Sequence, residues 1–361
     1  MKRVVFLAGT LSQPRIIKRI SAFHNAGYQV KVYGYDRGVY SCNTFPSGIA
    51  VEILGQQTDG QDYLRKIAQN RRDIKRVVKK EGKDVLYYSF DIVSACFLYL
   101  LGVKYIREIS DILYGYNRFK YVQPFAKMVD KFLVKKSYCT VLTSQGFVEY
   151  LFGRTEPKNI VVQPNKLHSK CIGLNRIVKK ADDSNLTFGF VGAIRYPNTI
   201  LRFAQIIGRY FPQHRFYFYG DSYCVDEFKQ RLSEYENVKF FGAYKNPEDL
   251  PSIYDNIDVV VACYEIESLN ERIAEPNKMY EAAFFCKPIV VSKDSFVAQQ
   301  VQRLECGYAI NAYDDNEIKG FVESLSTADM TSIMNHEYSL DKDILVDKPQ
   351  VIFDKLQELN S

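Results

Sequence analysis

The sequence has little of what fixes a protein in a membrane, around a structural metal or in an oxidising compartment. Its apolar runs, such as SACFLYLLGV from Ser94, fall far short of the ~20 residues a bilayer-spanning helix needs. The opening MKRVVFLAGT is too briefly apolar for a secretory leader, so a cytoplasmic chain without a transmembrane helix is expected. Eight cysteines occur without Cys-x-x-Cys or any zinc-like spacing, and several lie in apolar runs, as Cys96 and Cys263 do. They are expected to be buried free thiols in a reducing compartment. The four histidines (24, 168, 214 and 336) are scattered, so no metal site is expected. GxGxxG is missing after the first apolar run, which leaves a dinucleotide fingerprint unsupported. No repeat or low-complexity tract stands out.

What is present suits two ordinary globular domains. At 361 residues the chain exceeds the size at which one core stops growing, and 47% hydrophobic and 25% charged residues are usual for a soluble protein. Charge is divided unevenly. Residues 1–165 hold 26 Lys and Arg against 13 Asp and Glu, a balance of +13, whereas residues 166–361 hold 22 against 29, a balance of −7. The first half therefore expects an anionic partner: a phosphate-bearing molecule, a membrane surface or nucleic acid.

In that half, Val4–Ala8 has the run of a buried parallel strand, Ile16, Ile17, Ile20 and Phe23 recur at helical spacing, and 29–33 is strand again. Strand, helix and strand within about 30 residues make a βαβ unit. The intervening loop puts Gly9, Ser12 and Arg15 at the carboxyl end of a strand, where α/β sheets take ligands. Asp36-Arg37-Gly38 suits a polar turn. Residues 64–83 form a basic amphipathic helix, suited either to an anionic membrane or, more blandly, to a solvated surface. Strands are expected at 84–88, 105–109, 139–143 and 160–165. Glu108, Ser110 and Asp111 close one of them, where a carboxylate suits a general base or sugar-hydroxyl ligand and a helix N-cap is the rival reading. Residues 119–138 mix aromatics with lysines, a mixture fit for a membrane interface or single-stranded nucleic acid, though most of the aromatics are expected in the core.

Periodicity fades over 166–185 and resumes at Leu186–Val191, followed by Gly192 and the turn VGAIRYPNT. Glycine there lets backbone approach a ligand, and Arg195 offers a planar fork to phosphate oxygens. Further strands end in Gly220 and Gly242. The most informative stretch is EPNKMYEAAFFCKPIVV from Glu275: Pro276 opens a helix, Asn277 and Lys278 lie in its first turn, Glu281 follows on the face of Lys278, and a buried strand comes next. Helix N–H groups and an adjacent lysine attract phosphate, while a carboxylate one turn on accepts from sugar hydroxyls, a pattern that asks for a nucleotide diphosphate. A capped surface helix is the plain alternative.

Taken in order, SQPRIIKRISAFHNAGYQVKVYGYDR, YIREISD, VLTSQGFVEYL, IVVQPN, FGFVGAIRY, FYFYGD, VKFFGAY, DVVVACY and EPNKMYEAAFFCKPIVVS resemble the GT-B glycosyltransferases, especially the family-4-like enzymes of bacterial capsular and exopolysaccharide synthesis. The resemblance implies an α/β fold of two Rossmann-like doubly wound domains facing across a cleft. An N-terminal acceptor domain would span residues 1–165, a linker 166–185, a nucleotide-sugar donor domain 186–344, and a helix over 345–361 would pack back on the first domain. It implies a metal-independent, retaining hexosyltransferase that needs no cofactor beyond its nucleotide-sugar co-substrate, a UDP-sugar in the first instance. The acceptor would be lipid-linked or a glycan. The enzyme would sit at the inner face of the plasma membrane, held to its anionic surface by the basic half, and would bind no nucleic acid. Glu281 matches the glutamate on the donor ribose, Lys278 the lysine near the diphosphate, and Gly192, Arg195, Gly220, Pro276 and Asn277 surround them; Gly9, Ser12 and Arg15 fall on the acceptor side. The commoner glutamate pair would put its first member at 273, here Ile273, and Asn198 stands near the usual lysine of the turn. Glu275 and Asp111 are thereby the catalytic candidates. Two rivals are an epimerase of the same fold and an inactive nucleotide-sugar-binding scaffold of polysaccharide assembly.

Overall fold

The computed structural model describes residues 2–36, 45–57, 62–179 and 182–360, with the backbone alone at Arg118; Arg37, Gly38, Cys42 and Lys180 lie outside them. The chain divides into two compact units, Met1–Pro164 with Lys348–Ser361, and Asn165–Asp347.

The described residues of the first unit form a sheet of parallel strands β1 (Arg3–Ala8), β2 (Gln29–Asp36), β3 (Ala50–Gln56), β4 (Leu86–Ser89), β5 (Tyr105–Ile109), β6 (Cys139–Leu142) and β7 (Ile160–Val162). Their order is β3-β2-β1-β4-β5-β6-β7. The second unit repeats the plan with β8 (Thr187–Val191), β9 (Arg215–Tyr219), β10 (Val238–Gly242), β11 (Val259–Ala262), β12 (Ile289–Ser292) and β13 (Gly307–Ile310), ordered β10-β9-β8-β11-β12-β13. Central strands such as β1 and β11 are buried and apolar from Val4 to Ala8 and from Val259 to Ala262 because helices cover both faces, whereas β5 also buries Arg107 and Glu108. Val4, Phe6 and Ala8 point into one layer and Val5 and Leu7 into the other. In the second unit Val259 and Val261 are parted in the same way from Val260 and Ala262. Strand β3 has no counterpart in the sequence reading. It is an edge strand with every residue at least partly exposed, so no continuous apolar run announces it.

Strand order reverses between β1 and β4 and between β8 and β11. At such a point the loops leaving the carboxyl ends diverge and open a ligand crevice. Gly9 follows β1, Ser110 and Asp111 follow β5, and Gly192 follows β8.

The described residues of 166–185, read as a linker, belong to the second unit. Leu167 and Cys171 are buried in its core, and the buried Arg176 guanidinium donates to the carbonyls of Ala283, Phe284, Glu337, Tyr338 and Leu340. These carbonyls lie in the last turn or at the C-cap of the helices Asn277–Phe284 and Thr327–Ser339, where the regular intrahelical donors run out. The helix Gln350–Glu358 belongs to the first unit, where Ile352, Phe353 and Leu356 join the layer of Phe6 and Phe23. The basic helix Tyr63–Glu81 buries Ile74, Val77 and Val78 and exposes its arginines and, Lys66 aside, its lysines, the plain surface arrangement, with Tyr63 and Leu64 also exposed at its start. The aromatics of 119–138 differ from expectation, since Tyr121, Phe125 and Phe132 are exposed rather than in the core.

Candidate functional site

Glycines bring the tips of β8, β9 and β10 together. Gly192 N donates to Tyr219 O at 2.8 Å and Gly220 N to Gly242 O at 2.7 Å. Gly192 and Gly220 have φ of +135° and +138°, and a Cβ at Gly220 would lie 1.8 Å from the Gly192 oxygen. A Cβ at Gly192 would meet Lys278 Cε at 3.2 Å, so the first strand's tip and the first turn of the helix Asn277–Phe284 touch. Pro276 occupies the N-cap of that helix with extended backbone, one place before the expected first turn, and makes no side-chain cap. The helix is no surface element, because every residue from Lys278 to Phe284 is buried.

Burying two charged residues on such a helix requires that they satisfy each other. Lys278 Nζ lies 2.8 Å from Glu281 Oε2, which also accepts from Tyr254 OH at 2.8 Å, while Oε1 accepts from Asn277 Nδ2 at 2.6 Å. Lys278 further reaches Tyr244 OH at 3.4 Å. Burial works against the ammonium, but Glu281, Tyr244 and Tyr264 outweigh it and hold the lysine pKa above its usual value. Burial pushes Tyr264 up to about 12, eased by Lys278 and Arg195 and reinforced by Glu281. The result is a fixed cation at the sheet's carboxyl edge in a cluster with five polar side chains, Glu281, Asn277, Tyr244, Tyr254 and Tyr264. Of these, Tyr244, Tyr254 and Tyr264 were not singled out from sequence; a position just past a strand marks Tyr244 and Tyr264, and nothing marks Tyr254.

Arg195 is exposed on the turn after β8 and acts electrostatically on Tyr223 and Tyr264. The next residue, Tyr196, has a φ of +71° and stacks on Tyr264 with centroids 4.8 Å apart. Asn198 donates its N–H to Glu265 Oε1 at 2.9 Å, so a carboxylate already fills the start of that turn. Glu275 is bonded to a partner other than Lys278. It accepts from Tyr280 OH, and burial raises its pKa against the pull of Tyr280, Lys166 and Arg303. Glu271 is bound in a capping box with Ser268.

In the first unit, a cavity of about 260 Å³ is lined by Gly9, Arg15, Glu108, Ser110 and Asp111 among others. Arg15 Nη1 is 3.9 Å from Asp111 Oδ2, and Ser12, not itself among the lining residues, has its hydroxyl 3.0 Å from that of Thr10, which is one. Neither Ser110 nor Asp111 caps a helix: the turn that follows, Leu113–Gly115, has Ile112 at its N-cap. Glu108 is buried, accepting from Arg19 at 2.8 Å and from Tyr88. Burial raises its pKa, but Arg19 and Arg15 more than reverse that and keep it a carboxylate.

Among the described residues no three His, Cys, Asp or Glu side chains gather as metal ligands. Asp341-Lys342-Asp343, an Asp-x-Asp triplet, serves as a helix cap in which Asp341 accepts from Asp343 N–H at 2.9 Å.

Two doubly wound parallel sheets with this strand order define the GT-B class of glycosyltransferase folds. The chain is similar to the Anabaena protein Alr3699/HepE, solved in complex with UDP and glucose, with a TM-score of 0.73 and 16% identity over 100% of both chains. It is also similar to sucrose-phosphate synthase from Thermosynechococcus elongatus, with a TM-score of 0.76 and 13% identity over 100% of this chain and 98% of that one. Residues 185–327 match the family Glycosyl transferases group 1, and the second unit therefore carries a group 1 glycosyl transferase domain. Among curated proteins, the succinoglycan biosynthesis protein ExoL of Rhizobium meliloti (strain 1021) is 22% identical, covering 91% of this chain and 84% of its own length.

Proposed function

We propose that this chain transfers a sugar from a nucleotide-diphosphate sugar, a UDP-sugar in the first instance, to a lipid-linked or glycan acceptor of a surface polysaccharide, working at the inner face of an anionic membrane. The observation that carries the donor half is the buried Lys278–Glu281 pair, 2.8 Å apart, beside the glycine tips of β8 and β9 within the group 1 domain. A lysine kept charged inside the protein is suited to the negative charge that grows on a leaving diphosphate. Arg195 and the N–H groups opening at Pro276 would add to it, and the step would then need neither metal nor cofactor. Glu281, already oriented by Asn277 and Tyr254, would accept from ribose hydroxyls. In the first unit Gly9, Ser12 and Arg15 would meet the acceptor, with Asp111 as the group nearest its hydroxyl. Glu275 is the candidate beside the transferred sugar in a retaining reaction, and would have to leave Tyr280 to take that role. The UDP and glucose bound by HepE and the exopolysaccharide setting of ExoL support donor and pathway class.

The test is thermal stabilisation by UDP and UDP-sugars, since a ligand of the folded state raises its melting temperature. Wild type is expected to shift with a UDP-sugar. Lys278→Ala and Glu281→Gln are expected to weaken binding at least tenfold, about 1.4 kcal/mol, each measured against its own unliganded midpoint. Undiminished binding in both variants refutes the assignment.

A further inference from the structure

Two basic segments of the first unit promise an anionic partner, and one of them leaves a row of apolar residues outside along its length. The helix Tyr63–Glu81 exposes Tyr63 and Leu64 at its start but turns its stripe of Ile74, Val77 and Val78 into the core. The helix Gln123–Lys136 has a stripe on each side: Asp130, Leu133 and Val134 are buried, whereas Phe125, Met128 and Phe132 are 65%, 60% and 43% exposed. At roughly 100° per residue those three project within about 60° of one another. Tyr121 and Val122, 97% and 51% exposed, continue the strip at its N-terminal end, and Tyr99 extends it on a neighbouring helix, edge-on to Phe132 at 5.0 Å. Single exposed apolar residues are ordinary, but a contiguous strip marks a contact surface.

The charge around the strip has one sign. Lys120, Lys135 and Lys136 are exposed beside it, Lys131 is partly so, and Lys136 Nζ lies 5.9 Å from the Phe132 ring centroid. From Leu113 to Lys136 the sequence has one carboxylate, Asp130, and it is turned inward against Arg107 and Tyr114. We propose that this face is the membrane-docking surface of the protein, with Tyr121, Phe125, Met128 and Phe132 entering the headgroup boundary of an anionic bilayer and the lysines lying among its headgroups. Aromatic and aliphatic side chains on one face with flanking lysines are what such a boundary binds. A second copy of the chain is a poorer occupant, because a two-fold contact of this face with itself sets lysines against lysines.

The proposal specifies the surface behind the membrane setting proposed above, and does not draw on the donor site. It is tested by co-sedimenting the full chain, without nucleotide, with phosphatidylcholine vesicles containing or lacking phosphatidylglycerol. Salt-sensitive binding to the anionic vesicles is expected. Phe125→Ser with Phe132→Ser should abolish it, and Lys131→Ala with Lys135→Ala should weaken it roughly fivefold for each lysine removed. Because all four positions are at the surface, circular dichroism should show the variants folded. Failure to bind anionic vesicles, binding unchanged in both variants, or lipid-independent self-association that the phenylalanine variant abolishes would each overturn the proposal. UDP-sugar binding measured in parallel shows whether the donor reading survives such a failure.

Discussion

Gly220 shows how a residue without chemistry can shape a site. Its φ of +138° is open to glycine and strained for other residues, and any Cβ would run into the Gly192 backbone. Gly220→Ala is therefore expected to cost upwards of about 3 kcal/mol in urea unfolding. Gly242, at φ +79° with open space around its would-be Cβ, is the control, and its alanine variant should lose only about 1 kcal/mol. Glu337 makes the opposite case, a charged type placed where charge is disfavoured. It is fully buried, neither carboxylate oxygen has a hydrogen-bond partner, and burial lifts its pKa well above the usual carboxylate range despite Arg176 and Lys287. For an acid whose folded pKa is raised, stability is full below the unfolded value and falls as pH climbs toward the folded one. Glu337→Gln should remove that loss. Its urea midpoint should exceed wild type by more at about pH 8 than at about pH 5, and an equal difference at both would show that the carboxyl is not neutral in the fold.

Among the elements, the helix Asn277–Phe284 was legible because its residue types speak at close range: proline, asparagine, lysine and, three residues later, glutamate. Its burial on every side was not, since its sequence neighbours do not reveal the helix Thr327–Ser339 packed beside it or Arg176 bonded to its last carbonyls. The terminal helix Gln350–Glu358 was legible as amphipathic, and the resemblance supplied its destination. Phe353 meets Phe23 edge-on at 5.0 Å and stacks on Tyr28 at 5.8 Å. Phe353→Ala is accordingly expected to destabilise the first unit by about 3–4 kcal/mol, read from its unfolding transition, because a large aromatic leaves a cavity the layer cannot close. The exposed strip of Gln123–Lys136 was misread in sequence. Its apolar residues lie at helical spacing on both sides of the helix, and periodicity alone does not tell which side meets the core.

At the scale of the molecule, unbroken apolar strands alternating with helical periods were enough to determine two parallel α/β units, because local sterics and hydrophobic periodicity act over a few residues. The order of short motifs was enough to suggest the class, and the sequence pointed to Gly192, Gly220, Lys278 and Glu281, which the fold brings side by side. Other features were decided only by the fold. Strand β3 exists because an edge accepted it, and the described residues of 166–185 joined the second unit because Leu167, Cys171 and Arg176 found burial there. Glu275 turned to Tyr280 and Glu108 to Arg19, while Tyr244, Tyr254 and Tyr264 gathered around Lys278 and Glu281. Each of these choices balances desolvation of a polar group against partners many residues away, a balance that can be struck only once tertiary packing has brought them together.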